Sequence, residues 1–283
     1  MVGRASVPAA VEPPARRLCC RLVRRIPAAM GRPIKTTITL NLELVSRGLS
    51  KAMLSGLSFR EHRNFERFAR DLVRLPGPGK DPLEHLLPEA RWRELTYRVP
   101  DEAAWFIALS QATGVYFFPS REWVQTLRRY LKLLGVTRLL EAGAGRGYLT
   151  AALAPWCDAF GIRFRAVDRG DGEFVSGLPV YAGVERADAL TAARELCPEV
   201  VLYAWPPPGQ SVAPLCQTDF LHYLILIGEA GGGVTGARED WETLPHKVSP
   251  ALSRYGRGRT GALSHRVTVF YGGAHRFRPR KKT

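Results

Sequence analysis

The chain has 283 residues, 46% of them hydrophobic and 24% charged, enough for one large domain or a core with a smaller attachment. That balance excludes wholesale disorder and a collagen-like fibre. The net charge of +15 sits at the ends: residues 1–33 carry +6, residues 254–283 carry +9, and residues 34–253 hold 25 basic and 25 acidic side chains. Basic ends suit polyanions, which makes nucleic acid the expected partner, although Arg-rich tails can equally be inert decoration.

Residues 1–33 are rich in Ala, Pro and Arg and read as a disordered basic leader. Three explanations stay open: a later start at Met30, an organelle transit peptide, or an arm for nucleic acid. Residues 34–115 read as a helical accessory region. Ser58 and Glu61 have the spacing of a capping box, and Phe59, Phe65, Phe68 and Leu72 recur on one helical face. Leu75-Pro76-Gly77-Pro78-Gly79 ends that helix. A second helix is expected from Asp81 or Pro82 to about Tyr97, and a third from Asp101 to Ala112.

From residue 116 the pattern alternates. Ser120 caps an expected helix over Arg121–Leu134, ended by Gly135. Strands are expected at Val136–Leu140, Ile162–Val167, Leu178–Gly183 and Val200–Ala204, with a fifth inside Phe220–Ile227. Helices at Leu149–Trp156 and Leu190–Leu196 fall between them, and Arg266–Tyr271 alternates like one arm of a hairpin. Strands alternating with helices imply an α/β, Rossmann-like, doubly wound sheet over 116–275, followed by a basic tail at 276–283.

No uncharged apolar run reaches the roughly 18–20 residues that a bilayer requires, so no membrane contact is expected. The five cysteines (Cys19, Cys20, Cys157, Cys197, Cys216) include no C-x-x-C pair. A disulfide framework, a zinc site and any other metal centre are therefore not expected, and a cytoplasmic setting fits. His222 is expected to pack locally, and His265 and His275 to lie at the surface.

In such sheets ligands bind at the carboxyl ends of the strands. The first strand runs into Glu141, then Gly143, Gly145 and Gly147, followed by Tyr148. Glycines let the backbone turn sharply and approach a ligand. No phosphate-binding G-x-x-x-x-G-K-[ST] exists, and the G-x-G-x-x-G dinucleotide pattern is not met. An acid ahead of the glycines disfavours an anionic ligand and favours a cationic one.

The segment resembles the first motif, [ED]-x-G-x-G-x-G, of class I S-adenosylmethionine-dependent methyltransferases. The resemblance implies S-adenosylmethionine as cofactor, with Glu141 toward its cationic amino-acid end and the three glycines forming the turn. It implies Asp168, after the second strand, for the ribose hydroxyls, and Asp188 for the adenine loop. Tyr116 would cover the cofactor. Trp205-Pro206-Pro207-Pro208 stands where the fourth motif lies, but lacks the polar side chain that orients an amine. Trp205, Pro206 and Pro207 are nevertheless candidates for the acceptor side, Trp205 by stacking on a planar substrate or, alternatively, by packing in the core. Glu229, before Gly231-Gly232-Gly233, is the best candidate for a general base beside a flexible gate. A similar combination, with Tyr116, Pro119-Ser120, Trp205-Pro206-Pro207 and Gly228-Glu229 through Thr235, marks a poorly characterised branch of methyltransferase-like proteins. The implied activity is methyl transfer to an N or O nucleophile, on nucleic acid or a protein associated with it. The alternatives are a non-catalytic binding or assembly factor that keeps the fold and, more weakly, a nicotinamide-dependent dehydrogenase.

Overall fold

The computed structural model describes residues 59–77, 80–97, 99, 101–171 and 177–275. The leader, the Ser58 cap, Pro78-Gly79, Glu173, Cys19, Cys20 and the 276–283 tail lie outside the described residues.

Among the described residues four helices precede the sheet. Helix α1 (Phe59–Leu72) buries Phe65 and Ala69 and half-buries Phe68 and Leu72, as the apolar spacing requires. The expected second helix is shorter than its pattern: turns occupy the start and α2 covers Glu89–Thr96. Pro88 explains this, because proline fits just ahead of a helix but breaks one from inside. Helix α3 (Glu102–Thr113) begins at Asp101, whose side chain accepts from the Ala104 N–H, and ends at left-handed Gly114. Helix α4 (Arg121–Leu133) is capped by Ser120, which accepts from the Trp123 N–H.

The sheet then forms in order: β1 (Arg138–Ala142), α5 (Thr150–Ala159), β2 (Arg163–Asp168), β3 (Val184–Arg186), α6 (Ala189–Leu196), β4 (Val200–Ala204), α7 (Ala213–Cys216), β5 (Tyr223–Gly228), α8 (Arg238–Thr243), β6 (His246–Val248), α9 (Pro250–Ser253) and β7 (Arg266–Tyr271). The third strand is a correction: the chain pairs at Val184–Arg186 beside β2 and not at Leu178–Gly183. The first strand begins two residues late and runs through Glu141, which places that acid inside the sheet.

Strand order is β3-β2-β1-β4-β5-β7-β6. Five strands pair in parallel, and β7 runs antiparallel to both β5 and β6. Side chains alternate across the sheet as the two-residue period demands. Leu139, Val200, Leu202, Ile225 and Ile227 face one core, which also takes in Phe65, Trp92, Trp105, Leu127 and Leu153 from the helices before and after β1. Leu140, Ala142, Val201, Tyr203, Leu224 and Leu226 face the other, with Ala192, Leu215 and Trp241. The helical accessory region thus shares a core with one face of the sheet. Among the described residues no helix is long and apolar enough to cross a membrane.

Candidate functional site

The site forms where β1 ends. Glu141 shares strand parity with Leu139, so its side chain enters the core on the accessory side. It lies in register between Ala166 of β2 and Leu202 of β4 and is only 2% exposed. Its carboxyl accepts from the Thr150 hydroxyl at 2.8 Å. Burial pushes its pKa up to about 8, against the Thr150 hydrogen bond and with help from nearby Asp168. At neutral pH the group is mostly protonated.

The turn after it uses three left-handed glycines for two purposes. A Cβ on Gly143 (φ +61°) would come within 2.6 Å of the Tyr203 ring. One on Gly147 (φ +76°) would meet Tyr181 and Val184 at 2.6 and 2.8 Å. Above Gly145 (φ +57°) nothing lies within 4 Å. Gly143 and Gly147 therefore serve packing, whereas Gly145 leaves room for something else. Asp168 fixes the turn: its carboxylate accepts the Gly145 N–H at 2.8 Å and the Gly170 N–H at 2.7 Å. Two further acceptor positions of that carboxylate are not used by these bonds.

A cleft opens over the turn. Tyr116, Glu141, Gly143 and Gly145 line it together with Phe117, Tyr148 and Ala204. Of the other candidates, Gly147, Asp168, Asp188, Trp205, Pro206, Pro207 and Glu229 are not among its lining residues. Asp188 caps α6, accepting from the Thr191 N–H at 2.9 Å, and that bond holds its carboxyl below the usual range.

The segment after β4 is turned inward. Trp205 adopts φ +54°, which costs a non-glycine residue about 1–2 kcal/mol. Its indole is 8% exposed and rests on Gly258, where a Cβ would fall 2.0 Å from Cζ2. The indole is thus spent on core packing and not displayed for a planar substrate. The Pro206 carbonyl accepts from the Gly236 N–H at 3.0 Å and that of Pro207 from the Gln210 N–H at 3.0 Å. Glu229 is occupied too: it accepts from the Thr260 hydroxyl at 2.7 Å and the Val234 N–H at 3.3 Å, closing its own glycine loop.

Gly258→Ala should therefore evict the indole. Overpacking of this kind costs about 1–3 kcal/mol. The thermal midpoint is expected to drop by several degrees with a change in near-ultraviolet circular dichroism; an unchanged melt would contradict the contact.

Sequence reasoning overlooked the loop Gly256–Gly261. It pairs with the chain leading into α4: the Phe118 N–H donates to the Arg257 carbonyl at 2.7 Å and the Ser120 N–H to that of Tyr255 at 3.1 Å. Arg257 is 4% exposed and grips Glu89 of α2 through two 2.8 Å bonds, with its guanidinium 5.6 Å from the Trp92 ring centre. Arg259 lies 5.4 Å from the ring centre of Tyr116, which lines the cleft. His265 corrects the surface expectation: it is fully buried, stacked on Phe117 at 5.3 Å, and desolvation pushes its pKa down to about 3. The accessory region reaches the turn as well, since the Tyr148 hydroxyl donates to the His85 carbonyl at 3.2 Å. None of these contacts has a local sequence signal, because each joins residues far apart in the chain. Among the described residues no group of three or more His, Cys, Asp and Glu side chains could hold a metal ion.

The order of the seven strands, with β7 alone reversed, is decisive. This is the class I methyltransferase fold. No protein-family model matches the chain, and no curated protein does. Solved structures resemble it weakly. A Staphylococcus aureus protein assigned as a caffeoyl-CoA O-methyltransferase overlaps 65% of this chain and 99% of its own, at 10% identity and TM-score 0.36. An Archaeoglobus fulgidus SAM-dependent methyltransferase overlaps 38% of this chain and 54% of its own, at 16% identity and TM-score 0.21. Human N-acetylserotonin methyltransferase, in complex with SAM, overlaps 75% and 66%, at 9% identity and TM-score 0.32. The methyltransferase-type fold assignment rests on strand order and not on these overlaps.

Proposed function

We propose that the cleft binds S-adenosylmethionine and that the protein transfers its methyl group to a nitrogen or oxygen nucleophile. The observation that carries this reading is the pairing of a buried carboxyl, Glu141, with open space above left-handed Gly145 in one cleft. The residues fit the group. Glu141 would face the cationic amino-acid end, Gly145 would let the ligand approach the backbone, and Asp168, outside the cleft lining but bonded to the Gly145 N–H, has acceptor capacity left for ribose hydroxyls. Tyr116 would close over the cofactor. When bound, the cofactor supplies a methyl already activated on a sulfonium. The chain's own contribution is then positioning and exclusion of water. The basic ends favour an acceptor on nucleic acid or on a protein associated with it.

A second reading is a binding factor that holds the cofactor without methyl transfer. It is favoured by the segment after β4, where the Pro206 and Pro207 carbonyls and the Glu229 carboxylate are already engaged within the protein. Incubation with methyl-tritiated cofactor and total RNA, DNA or protein separates the two. Label in one fraction, lost with Gly145→Val, supports the enzyme. Tight cofactor binding with no label supports the binding factor. Absence of both binding and label would overturn the cleft assignment.

A further inference from the structure

Helices α4 and α5 meet at the surface and build a second feature there. Trp156 and Phe160 stand one turn apart, at the end of α5, with ring centres 5.4 Å apart and planes tilted by 41°. Phe160 is 55% exposed and Trp156 half-buried. Helix α4 sets a cation over each ring: the Arg128 guanidinium lies 5.8 Å from Trp156 and the Lys132 ammonium 5.2 Å from Phe160. Arg128 also donates to the Ala152 carbonyl, which fixes it to α5. Arg129 and Lys132 are exposed, Leu133 is 87% exposed, and α5 carries a single acid, Asp158.

Trp156 rests its inner side against the core, Phe160 does not, and neither ring lines the cleft. An exposed aromatic pair interleaved with cations presents π faces and positive charge together. Single-stranded nucleic acid offers the matching combination of stackable bases and phosphates. Helices α4 and α5 together hold four basic side chains against two acidic ones, a local excess that suits phosphates. Helix α5 starts beside the glycine turn, so Phe160 lies about 15 Å along the helix from it at 1.5 Å per residue.

We propose that the α4–α5 face binds single-stranded nucleic acid, with bases stacking on Phe160 and Trp156 and phosphates pairing with Arg129 and Lys132. The inference is independent of methyl transfer, because binding alone tests it.

The test is fluorescence anisotropy of the full chain with a fluorescein-labelled oligouridylate of about a dozen nucleotides, over a range of salt. Wild type is expected to bind, with affinity falling as salt rises. Phe160→Ala should weaken binding roughly 5- to 150-fold, the loss of one stacked base, at an unchanged melting temperature. Phe160→Trp should restore it. Lys132→Gln should lower the slope of log affinity against log salt by about 0.7. Absence of binding by wild type would overturn the proposal. So would equal affinity in Phe160→Ala, which would move the contact to the charged ends. Sedimentation showing a self-associated species that Phe160→Ala abolishes, with RNA affinity unchanged, would make the face a contact between copies instead.

Discussion

Arg257→Ala is expected to destabilise the protein by about 3–5 kcal/mol, measured by urea unfolding. That is the range for breaking a buried ion pair by removing one partner, because the other charge stays buried. Here the survivor is Glu89, the first residue of α2, which loses its two-pronged partner and keeps only the exposed Arg93 at 2.9 Å. Burial alone would raise the Glu89 pKa, yet the hydrogen bonds and charges of Arg257 and, after it, Arg93 lower it. Its contribution to stability is present above the ordinary carboxylate range and is lost as pH falls through the lowered folded value. Arg257→Lys keeps the charge but not the fork, and is expected to recover only part of the loss. Since the same loop carries Arg259 against Tyr116, both variants should also weaken cofactor binding. A loss within 0.5 kcal/mol for Arg257→Ala would show that the pair does not hold the loop.

Gly143→Ala is expected to abolish cofactor binding and destabilise the fold together. Its Cβ would stand 2.6 Å from the Tyr203 ring, and φ is +61°. Overpacking contributes about 1–3 kcal/mol and the left-handed backbone a further ~1–2 kcal/mol. Gly145→Ala isolates the second effect, because its Cβ would meet nothing within 4 Å. It should fold with a loss of ~1–2 kcal/mol and yet bind the cofactor weakly, since the new methyl occupies the approach. Equal melting temperatures and equal affinities in the two variants would contradict the division of labour within the turn.

The apolar run of β4, the alternation of β7 and the cap at Ser120 were legible because they depend on residues close in sequence. The Leu178–Gly183 strand was misplaced because β3 pairs over only three residues, too short for a period to register. The turn at Glu141 through Gly147 was legible as a ligand site, but not that Gly143 and Gly147 answer to Tyr203, Tyr181 and Val184. Trp205 read equally as platform or core; its contact with Gly258, 53 positions on, decided for the core. His265 was misread for the same reason, since its burial comes from Phe117 and Gly256 and not from the polar run that precedes it.

The most direct test of the cleft is calorimetry with S-adenosylhomocysteine between pH 6 and 9. The free protein holds a proton on Glu141 below about 8, and the ligand's ammonium requires the carboxylate. Binding below that pH must therefore expel the proton, so affinity should rise about tenfold per pH unit and level off near 8. Glu141→Gln should bind weakly and without that slope. One-to-one heat with this pH profile is the predicted result. No heat at any pH, or an affinity that neither pH nor Glu141→Gln changes, would contradict the account.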